Sequence, residues 1–210
     1  MSVRTLYHCP EARSQRSLWL LEELGLEFEL VELPFSQKVL RGPEYLAIHP
    51  LGRVPCLVDG DLTLFESGAI TQYLCETYDD GTLHRGPGHP ERWQWLQWVH
   101  YAETMAVHGA SMVQQTVIIA PESRSPVVQK LESRRLEKAM GVIDDRLADR
   151  DWLLASGFSA ADVSVGYSIH LGQQFISIDG LPRVVDYYQR IKARPAFQRS
   201  LGSRKQRNPS

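Results

Sequence analysis

The residues best suited to binding a ligand concentrate in one stretch, residues 49–74, HPLGRVPCLVDGDLTLFESGAITQYL. Pro55 opens an apolar strand there and has no amide hydrogen, so the backbone of Val54 before it is placed to pair with an extended ligand. If the Val54–Pro55 bond is cis, this edge is held in a fixed turn. The stretch therefore predicts a site for a peptide backbone.

Glu66 and Ser67 follow in the same stretch, where a strand gives way to a helix. A helix N-terminus offers unpaired amides and a positive dipole end, and the Ser67 hydroxyl adds a donor, so the position suits a carboxylate. The Glu66 carboxylate can hold an ammonium group beside it. Pro55 alone or Ser67 alone is explained by strand initiation or helix capping. Together they predict a small peptide ligand with an amino-acid-like end, such as glutathione.

Short alternating elements must position these residues. Asp59-Gly60-Asp61 separates two apolar runs, Val54–Val58 and Leu62–Phe65, and Asp-Gly between such runs favours a tight hairpin. Helical spacing follows from Ser67, which is placed to cap that helix, to Tyr78. The earlier elements are a strand over Val3–His8, a helix over Ser14–Leu24 stopped by Gly25, a strand over Phe28–Leu33 and at most a short helix over Glu44–Ile48.

The second part of the chain has a helical pattern. RGPGHPE at residues 85–91 indicates a linker, after which apolar residues recur at helical spacing. Ser159 and Asp162 form a capping-box variant at the start of a later helix, and Leu181-Pro182 opens another. We expect a first domain over 1–82, a linker over 83–89, an all-helical domain over 90–202 and a flexible tail over 203–210.

Composition excludes several functional classes. The 210 residues carry 23 Lys+Arg and 25 Asp+Glu, a formal net charge of -2, which does not favour nucleic acid or an anionic membrane as a partner. The three cysteines form no C-x-x-C pair and the seven histidines no H-E-x-x-H pattern, so we expect no metal site. The N-terminus lacks a signal-peptide pattern and no apolar run is long enough for a membrane span, which predicts a cytoplasmic protein.

Four segments together resemble the cytosolic glutathione S-transferases: LYHCPEARSQRSLWLLEELG, HPLGRVPCL, ESGAITQYL and FSAADVSVG. The likeness covers nearly the whole chain, and SLWLLEELG with HYAE at 100–103 looks closest to bacterial relatives of the fungal-type transferases. The resemblance implies an α/β thioredoxin-like N-terminal domain of order βαβαββα and an all-α helical-bundle C-terminal domain. It also implies a homodimer that conjugates glutathione, its co-substrate, to electrophiles, the chemistry of detoxification.

The resemblance further assigns residues to the parts of glutathione. It implies a cis-Pro55, backbone pairing of Val54 with the cysteinyl part, and binding of the γ-glutamyl end by Glu66 and Ser67. Arg53 or Lys38 would meet the glycyl carboxylate. Residues on a long helix would frame the acceptor pocket: Tyr101, Glu103 and Met105.

The residue that activates the thiol is open at this stage, because Ala12-Arg13-Ser14 stands where relatives often have Ser-Arg-Ser. A free thiol is about 3% ionised at pH 7, and lowering its pKa by ~2 units takes about 2.7 kcal/mol of thiolate stabilisation. One or two charge-assisted hydrogen bonds would suffice. Three interpretations stay open. In the first, Ser14 stabilises the thiolate together with the amides at the helix start and the positive potential of Arg13. In the second, Cys9 forms a mixed disulfide with glutathione instead, and in the third the site binds glutathione without activating it efficiently.

Two further functions remain as alternatives. A glutathione-dependent disulfide or peroxide reductase would be favoured if Cys9 reacts or if two glutathiones bind. A noncatalytic glutathione-binding or partner-binding module is the other, since one fold hosts unrelated functions. Trp93, Trp95 and Trp98 cannot share one helix face, so some of them must reach an interface, the domain seam or a binding cleft.

Overall fold

The computed structural model describes residues 3–202, so the flexible tail predicted over 203–210 lies outside the described residues. The chain forms two units. One contains residues 3–81 together with 193–202, and the other is Thr82–Lys192. The predicted helical domain ran to residue 202, whereas the structure returns the chain to the first unit after Lys192.

The first unit combines four strands and five helices within the described residues. In chain order these are β1 (Arg4–His8), α1 (Ser14–Glu23), β2 (Phe28–Glu32), α2 (Gln37–Leu40), α3 (Pro43–Leu46), β3 (Cys56–Asp59), β4 (Leu62–Phe65), α4 (Ser67–Tyr78) and α9 (Pro195–Ser200). Gly25, with φ of 62°, follows the end of α1 as the sequence predicted. The order confirms the thioredoxin-like domain, and α2 and α9 are additions that the sequence pattern did not indicate.

The four strands form one mixed sheet in the order β2-β1-β3-β4. β1 runs parallel to β2 and antiparallel to β3, and β3 and β4 form an antiparallel hairpin. Gly60 takes a φ of 60° in the turn between them, as the Asp-Gly pattern predicted. Leu6 and Leu57 pair across β1 and β3 at the centre and are buried.

α9 packs against α1. Phe197 is fully buried and meets the Trp19 ring edge-on, with ring centroids 4.8 Å apart. Arg194, just before α9, pairs with Glu23 of α1 at 2.6 and 2.7 Å. Arg194 is the N-cap residue of α9 and Pro195 opens the helix, because proline is well tolerated in a first helical turn.

The second unit contains helices and turns, with no strand among its residues. Its helices are α5 (Arg92–Val113), α6 (Pro126–Arg146), α7 (Ala160–Gly172) and α8 (Pro182–Lys192), with a π-helical turn over Gln114–Ile118 and a 3-10 turn over Pro121–Ser123. α7 is the core helix, since almost every residue in it is buried. This confirms the helical bundle predicted for this part of the chain.

The start of α7 carries the predicted capping box. Asp162 is fully buried and accepts hydrogen bonds from the amides of Ser159 (2.8 Å) and Leu153 (3.0 Å) and from the Tyr187 hydroxyl (3.0 Å). Burial raises the pKa of Asp162 to about 6 in spite of these bonds, which favour the carboxylate. One carboxyl thus joins the turn before α7 to α8.

Residues 3–202 contain neither a candidate membrane-spanning helix nor a candidate metal-binding cluster. None of the helices there combines the length and the apolar character that crossing a membrane requires. Nor do three or more His, Cys, Asp or Glu side chains in this range gather in a way that would hold a metal ion.

Candidate functional site

The sheet brings the three predicted ligand-binding segments to one end. Cys56, the first residue of β3, pairs with Tyr7 near the end of β1 and with Phe65 at the end of β4. The loop after β1, the Val54–Pro55 bond before β3 and the start of α4 after β4 therefore lie at the same end of the sheet. Residues separated by more than forty positions in the sequence become neighbours through this register.

The Val54–Pro55 peptide is cis, as the resemblance implied. The backbone before it is fastened by Tyr45 of α3, whose buried hydroxyl donates to the Arg53 carbonyl at 2.6 Å. His49, also buried, donates its amide to the Tyr45 carbonyl at 2.8 Å and accepts from the Leu51 amide through Nδ1 at 3.2 Å. Burial lowers the pKa of His49, which favours the neutral ring that this acceptor role needs.

The backbone of Gly52 passes close to the end of α2. Its φ is 56°, and a Cβ at this position would collide with the carbonyl oxygen of Leu40 at the end of α2. Its amide donates to the His49 carbonyl at 2.9 Å. Only glycine tolerates both the positive φ and the close contact with the Leu40 carbonyl, so Gly52 fixes how the chain enters the Arg53–Pro55 edge.

The start of α4 differs from the predicted cap. Glu66 is the N-cap residue, with φ of 75° and no side-chain capping bond, and α4 begins at Ser67. The prediction that Ser67 caps the helix is wrong, because its hydroxyl instead accepts a hydrogen bond from Arg16 Nη1 at 3.1 Å. The positive φ of Glu66 is a costly conformation for a residue with a side chain, and such strain is typical of functional sites.

Arg16 is a site residue that the sequence reasoning missed. It lies on α1, is fully buried, and reaches across to α4. One signal for this residue was available. Arg16 lies four residues before Leu20, so the two share one face of α1, and the rest of that face is buried. A charged residue in that position is buried only when it has specific partners.

Cys9 and Ser14 are both fully buried. The Ser14 hydroxyl accepts from the Cys9 amide at 3.1 Å, and lies 2.9 Å from His8 Nδ1 and 3.3 Å from the Cys9 carbonyl. Burial, with a further contribution from Glu32, raises the pKa of the Cys9 thiol to about 12. The Ser14 hydroxyl therefore holds the loop after β1 in place, and Cys9 is a neutral thiol.

Ala12 and Arg13, in the same loop, are half-buried. The Ala12 methyl packs against the buried cluster of Cys9, Leu40 and Tyr45. Arg13 is the N-cap residue of α1 and makes no side-chain capping bond. Where relatives often have a hydroxyl, this chain thus extends an apolar cluster, and Arg13 stands at the positive end of the α1 dipole.

The remaining predicted residues divide into two groups. Arg53 and Lys38 both have exposed side chains, Arg53 next to Val54 and Lys38 on α2. The structure does not bring Tyr101, Glu103 and Met105 together, although all three lie on α5. Met105 is fully buried. The Tyr101 hydroxyl donates to the Ala139 carbonyl of α6 at 3.0 Å. At 100° per residue, Glu103 lies 200° around the helix from Tyr101 and therefore on another face.

Comparison with known proteins gives one consistent family. The family model described as glutathione S-transferase, N-terminal domain, matches residues 2–76. Glutathione S-transferase F10 of Arabidopsis thaliana is 32% identical over 166 residues, 77% of each chain. Glutathione S-transferase GstA of Escherichia coli O157:H7 is 29% identical over 206 residues, which are 94% of this chain and 97% of that protein.

A solved structure shares the fold. The crystal structure of the glutathione transferase URE2P8 from Phanerochaete chrysosporium, determined with oxidized glutathione, matches with a TM-score of 0.86 at 21% sequence identity. The match covers 95% of this chain and 94% of that one.

We expect Gly52→Ala to destabilise the protein by more than Gly25→Ala, measured by urea denaturation. Gly25 has a similar positive φ of 62° but nothing near its missing Cβ, so alanine there costs only the left-handed backbone, about 1–2 kcal/mol. At Gly52 the collision with Leu40 adds to that cost. Equal losses in the two variants would show that the close approach does not constrain this segment.

Proposed function

The chain belongs to the glutathione S-transferase family, and from this we propose that its first unit binds glutathione, stabilises the thiolate and transfers it to an electrophile. The observation that carries the proposal is the pairing of Cys56 with both Tyr7 and Phe65. This pairing puts a backbone edge, an uncapped helix start and a loop with an arginine at one end of the sheet.

Each part of the tripeptide then has a counterpart in this chain. The Val54 backbone pairs with the cysteinyl residue, as an added strand pairs with a sheet edge. Glu66 holds the γ-glutamyl ammonium group, and Ser67 with the α4 amides holds its carboxylate. Arg53 or Lys38 meets the glycyl carboxylate, since both side chains are exposed cations.

For the thiolate we propose Arg13 and the start of α1 as the stabilising groups. Ser14 and Cys9 have no exposed surface, and the Ser14 hydroxyl is engaged with the loop backbone. Arg13 is half-buried, carries a fixed charge and stands at the helix N-terminus. The thiol proton leaves to solvent, and the sulfur then forms a bond to an electrophilic carbon, whose leaving group departs with the electron pair.

Of the alternatives, the noncatalytic module has an observation in its favour. Ala12 replaces the expected hydroxyl with a methyl group packed into an apolar cluster. A reductase that works through Cys9 gains no support, because a buried thiol with a pKa of about 12 is neither accessible nor ionised at pH 7. Turnover with a panel of electrophiles and disulfides, measured beside glutathione affinity, separates the three functions. Tight binding without turnover would identify the module.

Ser67→Ala should weaken glutathione binding by roughly 1–3 kcal/mol, about 5- to 150-fold, because a charged ligand loses a hydrogen bond. Isothermal titration calorimetry measures the change. Ser200→Ala is the control, since Ser200 is also buried in the first unit but bonds only within α9, to the Phe197 carbonyl at 2.7 Å. An unchanged dissociation constant in folded Ser67→Ala would mean that the γ-glutamyl end is bound elsewhere.

Arg13→Gln should raise the pKa of bound glutathione by about one unit, since one unit corresponds to ~1.4 kcal/mol of lost thiolate stabilisation. Thiolate absorbance against pH measures this pKa. Cys9→Ala should leave the pKa unchanged, because the Cys9 side chain is buried. A pKa that rises in Ser14→Ala and stays fixed in Arg13→Gln would return the role to Ser14.

We also propose that the protein is a homodimer and, as the family resemblance implies, cytoplasmic. Trp93 on α5 is 74% exposed, while Trp95 and Trp98 of the same helix are buried, and Val107 on α5 is 58% exposed. A large aromatic side chain with this exposure suits an interface. Light scattering at micromolar concentration should give twice the chain mass of 23.9 kDa. A mass of one chain would reject the dimer.

A further inference from the structure

A buried cation lies directly behind the start of α4. The Arg16 side chain has no exposed surface, and its Nη1 donates to Ser67 Oγ at 3.1 Å. Ser67 itself is 2% exposed. The contact joins the middle of α1 to the first residue of α4, across 51 positions in the sequence.

The chemistry of this contact fixes the direction of the Ser67 hydroxyl. A guanidinium has donors only and is always charged, so the Ser67 oxygen must accept from Arg16. The Ser67 hydroxyl hydrogen is therefore not directed at Arg16 Nη1. A serine in a first helical turn otherwise tends to bond with nearby backbone groups. Arg16 occupies one acceptor position of the Ser67 oxygen and thereby restricts the orientations of the hydroxyl.

A second contact holds the backbone of the same residue. Thr71, one turn later on α4 and fully buried, donates through Oγ1 to the Ser67 carbonyl at 2.9 Å. The Glu66 carbonyl accepts the Ile70 amide at 2.9 Å, the first hydrogen bond of the helix. Ser67 is thus restrained at its hydroxyl and at its carbonyl, which leaves it little freedom to lose when a ligand binds.

α1 is itself held in place, so Arg16 is a fixed support. Trp19 and Glu23, further along α1, contact Phe197 and Arg194 of the α9 segment. Ser14 at its other end is bonded to the loop after β1. The guanidinium therefore has a defined position relative to the sheet of the same unit.

We propose that Arg16 is a positioning residue, which acts through Ser67 to make the start of α4 selective for the α-carboxylate of a γ-glutamyl group. This inference rests on the proposed binding of glutathione and adds a residue to it. The buried positive charge polarises the Ser67 hydroxyl, and the hydroxyl donates to the carboxylate together with the α4 amides. Arg16 itself stays behind Ser67 and does not touch the ligand.

The test compares two ligands by calorimetry: glutathione, and γ-aminobutyryl-cysteinyl-glycine, which lacks only the α-carboxylate. The wild type should bind glutathione at least about 30-fold more tightly, the factor that one charge-assisted hydrogen bond of ~2 kcal/mol would give. Arg16→Met should reduce this preference to a few-fold, and Arg16→Lys, which keeps the charge but not the planar fork, to an intermediate value. Both variants should bind the analogue as the wild type does.

Two further measurements separate positioning from a merely structural effect. In Arg16→Lys the KM for glutathione should rise, while kcat at saturating glutathione and the pKa of the bound thiol stay unchanged. Arg16→Met combined with Ser67→Ala should lose no more preference than either change alone, because both act on one hydroxyl. Arg4→Gln is the control, since it removes an ion pair of the same unit, to Asp59 at 3.1 Å, that does not involve α1, and it should keep the wild-type preference.

The outcomes distinguish this inference from the function on which it depends. If the wild type does not bind glutathione, the proposed function fails. If the wild type binds glutathione and the analogue equally, or if Arg16 variants weaken both ligands by the same factor, glutathione binding stands and the role of Arg16 is overturned. The wild-type comparison decides the first of these even where an Arg16 variant does not fold.

Discussion

The arrangement of the first unit depends on the position of Cys56 between two strands. Its pairing with Tyr7 on one side and Phe65 on the other fixes which residues of three distant segments meet. A shift of one residue in either pairing would turn the side chains of a strand to the opposite face of the sheet. It would also displace Pro55 from the segments before α1 and α4. The site is therefore a property of strand register before it is a property of any side chain.

Local patterns in the sequence predicted the elements whose signals are local. The Asp59-Gly60-Asp61 hairpin and the capping box at Ser159 were confirmed, because each depends on residues within a few positions of one another. α9 was missed because its partner Trp19 is far away in the sequence, and six residues of helix carry almost no periodic signal. The prediction that Ser67 caps α4 was wrong for a related reason. A hydroxyl at a helix start resembles a cap until a distant donor such as Arg16 is known.

The backbone of the candidate site could be predicted, whereas the burial of its side chains could not. The cis Val54–Pro55 bond and a helix that begins near Ser67 were confirmed, because turn and helix-start chemistry restricts the residues that occupy such positions. Burial is not readable from one sequence in the same way. Cys9 was a candidate for a mixed disulfide, yet it is fully buried in a cluster with Leu40 and Tyr45. The substitution of Ala12 for a serine fits that cluster, so one apolar contact explains both the buried thiol and the missing hydroxyl.

The return of the chain to α1 has a consequence for the order of assembly. On the ribosome, residues 82–192 emerge as one uninterrupted segment, whereas the first unit combines residues 3–81 with residues 193–202. Until Phe197 has been synthesised, the Trp19 ring lacks the aromatic ring that it meets edge-on in the folded unit. Domains generally fold as their chain becomes available, at ~5–20 residues per second. The helical unit therefore has its whole sequence before the first unit does, and the first unit is complete only when α9 has left the exit tunnel.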